Sequence, residues 1–459
     1  MKRTIILLGS LLGMFALASA QINRNIVVTP GEKIPIAVPD FRGAGDAQAL
    51  MSTFNATLWS ELQNSGQLKV IPKTVYPLII PQQPSDFHSP LNGKSQGPWL
   101  SDWSGPPVNG RYLAFGYTAT QNGQLILYGW LYDVQQSAPS SAQLLAKVYV
   151  GSSDQAGSRK VAQEFAADIL KLFGAGSLMG TRIYFVSDRT GHKEIWSMNY
   201  DGSDQKQFTS YRTITNFPAV SADGTKIAFT IYPMRPASPG HPATESQPRI
   251  YVHSLETGRK LPYLNQEASM NAASDFTPDN HLLIYSTAAG VSQIFMTDVD
   301  GGGFRRITNT RSLEVEAKAN PKTGADIVFT SGRGGMPQIY RMNMDGTDVA
   351  RLTAGDGEAV NPSWSPDGQH IAFAWTHGFE PGNYNIFIMD VASQQLIQLT
   401  HGAGRNENPN WAPDGVHLVF SSKRGRTMQI YTMFADGTGL QQLTTQGNNE
   451  KPVWSKGTQ

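Results

Sequence analysis

The strongest constraint on this chain is a sequence unit that returns six times between about residue 183 and the end. Its second half opens at Ile195-Trp196, Ile250-Tyr251, Ile294-Phe295, Ile339-Tyr340, Ile386-Phe387 and Ile430-Tyr431, at spacings of 55, 44, 45, 47 and 44 residues. The whole unit reads Pro-x-aromatic-Ser-Pro-Asp-Gly, an apolar triplet, the Ile-aromatic pair, a second tight turn, and then Leu, Phe or Ile followed by Thr. Clear copies run from Asn361-Pro362-Ser363-Trp364 to Ile371-Ala372-Phe373, and from Asn408-Pro409-Asn410-Trp411 to Leu418-Val419-Phe420. A third runs from Asn216-Phe217-Pro218 through Asp223-Gly224 to Ile227-Ala228-Phe229.

This period suits a four-stranded propeller blade. Asp-Gly supplies the positive φ that a tight hairpin needs, and alternation such as Ile371 and Phe373 buries one side of a strand. One such sheet cannot bury both faces, so successive sheets must stack around an axis. The first unit opens at Ile183-Tyr184-Phe185 without a preceding Pro-x-aromatic strand, and Lys451-Pro452-Val453-Trp454-Ser455 is that strand. The expectation is a six-bladed ring sealed by its last strand, which removes exposed sheet edges. Phe276-Thr277-Pro278-Asp279-Asn280 and Asn320-Pro321-Lys322-Thr323-Gly324 are degenerate turns, and residues 231–249 read as an insertion in the first blade.

Residues 21–176 do not repeat. Residues 46–62 read as a helix with Leu50, Phe54, Leu58 and Leu62 at i+4 spacing, and Leu68-Lys69-Val70-Ile71 as a strand. Two strands, 112–117 and 124–132, form a hairpin across Asn122-Gly123. A strand over 144–150 and a helix carrying Val161, Phe165, Ile169 and Leu172 follow. Alternating helices and strands predict an α/β layered domain. Residues 77–110, with seven prolines, read as a long loop. The expected fold class is thus an α/β N-terminal domain (21–176) followed by an all-β six-bladed β-propeller (177–459).

The chain opens with basic Lys2-Arg3, an apolar stretch to Leu17, and Ala18-Ser19-Ala20. This order reads as a secretory signal peptide over 1–20, cut between Ala20 and Gln21. The apolar run is shorter than the ~20 residues that span a bilayer, and no later segment is long enough, so no membrane span is expected. The 37 basic and 36 acidic residues balance, which speaks against nucleic acid as a partner. There is no cysteine, which excludes disulfides, thiolate zinc sites, iron–sulfur clusters and a thiol nucleophile.

Chemistry is hard to find. No Gly-x-Ser-x-Gly elbow, His-Glu-x-x-His pair or phosphate-cradling Gly-Lys-Ser/Thr loop occurs, so neither catalytic residues nor a cofactor or metal is expected. His370 and His417 follow Asp-Gly turns and read as solvent-facing. Glu314 and Glu316 read as a solvated loop face.

Leader, α/β domain of roughly 150 residues and a ring of Pro-x-Trp-Ser-Pro-Asp-Gly units together resemble the TolB family, the periplasmic component of the Tol–Pal system. Ile36-Ala37-Val38-Pro39-Asp40-Phe41 is similar to the family's first strand, and Trp103, Tyr112 to Gly116 and Leu131-Tyr132-Asp133-Val134 are similar to further family positions. The resemblance implies a monomeric, non-enzymatic scaffold of the periplasm that binds other proteins. Its propeller mouth would bind Pal, a peptidoglycan-associated lipoprotein, through loops preceding the innermost strands. The matching residues are Asn216, Met270, Asn271, Ala273, Glu314, Val315, Glu316, Asn361, Asn408 and Glu450. The N-terminal segment, with Ile22, Ile26, Val27 and Val28, would engage TolA, an inner-membrane protein, or fold back. A second reading stays open, an exported hydrolase or glycan-binding lectin that uses the propeller channel.

Overall fold

The structure, a computed structural model, describes residues 33–88, 97–235, 244–378, 381–402 and 404–456. The expected leader and the segment carrying Ile22, Ile26, Val27 and Val28 lie outside them.

The first layer is a mixed sheet of β1 (Ile34–Ala37), β2 (Arg42–Ala44), β3 (Leu68–Val70), β4 (Tyr112–Gln121), β5 (Gln124–Asp133) and β6 (Gln143–Ser152), in the order β3-β1-β4-β5-β6 with β2 paired to β4. β1 runs parallel to β3 and β4. The β4–β5 hairpin turns on Asn122 and Gly123 at φ 52° and 74°, the two left-handed residues of a turn that matches strand twist. Helices α1 (Met51–Gln63) and α4 (Gln155–Leu172) cover one face of this sheet, and two four-residue helices, α2 (Ser101–Ser104) and α3 (Pro139–Ala142), lie between them in sequence. The apolar i, i+4 stripe explains α1: Phe54, Leu58 and Leu62 are fully buried against Leu125, Leu127, Phe165 and Ile169. Asp154 caps α4 by accepting the Gly157 amide at 2.7 Å.

Residues 77–110 are more than a loop. Trp103 of α2 is fully buried and packs with Phe87 and Leu100 over Leu113, Phe115 and Tyr132 on the far face of the sheet. Isolated aromatics carry no period, so the segment's share of the core leaves no pattern to read.

Six four-stranded sheets follow. Blade 1 combines Asn449–Ser455, the innermost strand, with Arg182–Ser187, Glu194–Asn199 and Lys206–Gln207. Trp454 pairs with Ile183 and Val453 with Tyr184 across that seam. The other innermost strands are Ile214–Val220 in blade 2, Asn271–Phe276 in blade 3, Glu314–Ala319 in blade 4, Ala359–Trp364 in blade 5 and Arg405–Trp411 in blade 6. A separate apolar core fills each junction between neighbours, including that of blade 6 with blade 1, where Trp454, Ile183 and Phe185 meet Val419 and Ile430. The expected fold class, an α/β region followed by a six-bladed propeller, is borne out. The insertion over 231–249 belongs to blade 2, between Lys226–Tyr232 and Arg249–Ser254, not to the first blade.

The repeated motif now has a mechanical meaning. In Ser365-Pro366-Asp367-Gly368, the Asp367 carboxylate accepts the Ser365 hydroxyl at 2.5 Å and the Gln369 amide at 3.0 Å, while Gly368 sits at φ 69°. Each motif Thr accepts the amide of the Ile that opens the second half: Thr209 from Ile195, Thr308 from Ile294, Thr353 from Ile339, Thr400 from Ile386 and Thr444 from Ile430, at 2.8–2.9 Å. In blade 2 Asn265 takes that place at 2.6 Å from Ile250. These bonds tie the third strand to the chain leaving the blade and satisfy an otherwise buried donor.

Both histidines expected at the surface are buried. His417 is 8% exposed, with Nδ1 2.6 Å from Asp414 and its ring on Phe434. His370 is 6% exposed with Asp390 3.5 Å away. Each opens a second strand next to an Asp-bearing turn, and pairing with that Asp or a neighbouring one offsets the cost of burying the ring. Glu314 is likewise not on a solvated face: it is fully buried in a strand and held by Arg333 at 3.0 Å and the Ser331 hydroxyl at 3.0 Å.

Candidate protein-docking mouth and axial channel

Every innermost strand breaks register against its neighbour at the same place: between Asn216 and Ala219, Ala273 and Asp275, Val315 and Lys318, Val360 and Ser363, Glu407 and Asn410, and Glu450 and Val453. These are β-bulges, which re-aim side chains and raise local twist. In five blades the bulge places a non-glycine residue at positive φ: Phe217 at 53°, Glu316 at 59°, Asn361 at 55°, Asn408 at 52° and Lys451 at 52°. Such backbone costs about 1–3 kcal/mol per residue and persists only where its surroundings enforce it. Here the enforcement comes from contacts between neighbouring blades. Glu316 accepts the Asn361 amide at 2.8 Å and its side-chain NH2 at 2.7 Å, and also the Thr330 hydroxyl at 2.8 Å. The Asn408 amide donates to the Asn361 side chain at 3.3 Å. The Lys451 ammonium lies 4.4 Å over the Phe217 ring, which meets Tyr285 edge-on at 5.7 Å.

These side chains frame a small axial cavity of about 70 Å³. A second chamber of about 160 Å³ lies beyond it, walled by Phe276, Trp364, Trp411 and Trp454. Lys318 borders both. Its ammonium donates to the Ser274 carbonyl at 2.5 Å and stands 3.9 Å from Asp275. Burial pushes the Asp275 carboxyl up, against the pull of Lys318. Burial also raises Tyr285 well above the usual phenol range, with Glu316 adding to it.

Of the residues expected in loops at the mouth, only Met270 precedes its strand; the others sit within the innermost strands, none beyond the midpoint. Asn216, Val315, Glu316, Asn361, Asn408 and Glu450 are half-buried, and the bulges bring Glu316, Asn361 and Asn408 together. Asn271, Ala273 and Glu314 are buried within the blades, where Asn271 accepts the Ser286 hydroxyl at 2.7 Å. Glu450 pairs with Lys193 of its own blade. The channel residues Phe217, Tyr285, Lys318 and Lys451 were not among the expected set. One signal points to two of them: like Asn361 and Asn408, Phe217 and Lys451 immediately precede the Pro of the repeated motif. Among the described residues no group of three or more His, Asp or Glu converges as a metal site, and no helix is long and apolar enough to cross a membrane.

Comparison with known proteins agrees with this architecture. The profile of the TolB beta propeller domain (PD40) matches residues 169–379 and 356–459. A Protein TolB homolog from Chlorobaculum tepidum is 32% identical over 309 residues, covering 66% of this chain and 63% of that protein. One from Chlorobium luteolum is 30% identical over 245 residues, covering 53% and 51%. The chain thus spans between half and two thirds of these relatives. The crystal structure of TolB from Acinetobacter baumannii superposes with a TM-score of 0.71 at 24% identity over 93% of this chain and 97% of that one, a likeness of fold. The chain belongs to the TolB β-propeller family.

Proposed function

We propose that this chain is a periplasmic, non-enzymatic scaffold of the Tol–Pal envelope system, which supports outer-membrane integrity and constriction at division by binding a Pal-like peptidoglycan-associated lipoprotein and a TolA-like inner-membrane protein. The reading takes residues 1–20 as a leader removed before Gln21, 21–176 as the α/β domain and 177–459 as the propeller. The observation that carries it is the bulged ring. Five strained residues, three of them (Glu316, Asn361 and Asn408) cross-linked by hydrogen bonds and two (Phe217 and Lys451) by a cation–π contact, present a preorganised rim on a rigid support, and preorganisation is what turns contact area into affinity. The cavity inside that rim, about 70 Å³, is small for a metabolite, whereas a propeller mouth has room for a protein interface of about 1,600 Å². Asn216, Met270, Val315, Glu316, Asn361, Asn408 and Glu450 would supply contacts, with buried Asn271, Ala273 and Glu314 supporting the strands beneath. Residues Ile22, Ile26, Val27 and Val28 would supply the TolA-directed segment. The tagged mature chain, used as bait in solubilised envelope extract, is expected to retain a peptidoglycan-binding lipoprotein. Repeated failure to recover one, with the bait folded, contradicts the reading.

A further inference from the structure

The α/β domain meets the propeller across a hollow, polar seam. Gly66 and Gly176 lie directly against Val416 and Asp414 of blade 6, and the Lys33 ammonium stands 5.5 Å over the Phe434 ring. Beside these contacts a cavity of about 260 Å³ separates α1 and α4 from blades 1 and 6. Among the described residues, a side-chain bridge crosses it. The Gln163 amide on α4 donates to the Glu61 carboxyl on α1 at 3.2 Å and to the Tyr200 hydroxyl of blade 1 at 3.1 Å. Gln163 donates through both hydrogens of its amide, so Glu61 is held as an acceptor in either protonation state. The other charged groups around the cavity are Arg159 on α4, Asp201 beside Tyr200, and the Asp414–His417 pair on blade 6.

We propose that protonation of Glu61 couples the two domains: the neutral carboxyl lets the seam close, and the carboxylate loosens it. Burial raises the Glu61 carboxyl from 4.5 to about 7, with Gln163 lowering it and Asp201 raising it further. Opening the seam returns Glu61 to water and to its ordinary range. Closure is therefore fully favoured below pH 4.5, is lost progressively as pH rises to about 7, and is constant above that. The closed-to-open ratio falls at most about 300-fold across that window. The coupling is independent of which protein docks at the mouth.

The absence of cysteine makes the test direct. Spin labels at Lys160→Cys on α4 and Val349→Cys on blade 4, both exposed positions, report the separation of the domains by pulsed electron resonance. One narrow distance is expected at pH 5, with a broader, longer population at pH 8.5. Glu61→Gln, a permanently neutral isostere, is expected to stay narrow at both. Asp201→Asn removes a negative charge facing Glu61, so the carboxyl ionises more readily and the midpoint of opening is expected to move to lower pH. Identical distributions at both pH values in the parent, persistence of the pH response in Glu61→Gln, or an unmoved midpoint in Asp201→Asn each overturn the proposal.

Discussion

The smallest parts that carry the fold are hydroxyls and carboxylates in the repeated unit. A Thr 14 residues beyond five of the six opening Ile residues was visible as a motif, but its task was not, because the bond forms only once the outer strands are paired. Thr353 is fully buried and accepts the Ile339 amide at 2.9 Å. Replacing it by Ala orphans that donor, so Thr353→Ala is expected to lower unfolding free energy in urea by about 1–3 kcal/mol, and Thr353→Ser by much less. Histidine and glutamate were harder to place from sequence. Polar residues next to turns usually meet solvent, yet His417 and Glu314 point into blades because Asp414 and Arg333 stand ready to pair with them. A partner 19 residues away, as Arg333 is from Glu314, leaves no local pattern.

At the scale of elements, strands were legible where turn chemistry and alternation agreed, as at Asn122-Gly123 and at each Asp-Gly. The segment over 77–110 was not, since Trp103 and Phe87 contribute to the core as single aromatics without a period. The bulges were also invisible as bulges, although the residue before each motif Pro marks four of them. The last strand was legible because its Pro-x-Trp matched the piece absent from the first unit. Trp454 is 7% exposed; its indole donates to Thr181 at 3.0 Å, and its amide to Asn410 of blade 6 at 2.8 Å. Trp454→Ala removes packing from the junction of blades 1 and 6 and is expected to cost about 3–5 kcal/mol. Calorimetric melting checks this: a loss below about 1 kcal/mol means that the seam contributes little to the stability of the ring.

For the whole molecule, a ring of six sheets pairs twelve sheet faces into six apolar junctions, and leaves its inner strands free to carry strain at the axis. That strain is concentrated where the rim is polar, at Glu316, Asn361 and Asn408. The central claim is that this rim docks a protein. Titration calorimetry of the mature chain with the purified Pal-like lipoprotein domain of the same organism tests it most directly. The account predicts a 1:1 complex, weakened at least about tenfold by Asn408→Arg in a chain whose circular dichroism shows the propeller still folded, since a bulky cation at the rim opposes docking without touching a blade core. Absence of binding, or binding indifferent to Asn408→Arg, contradicts it.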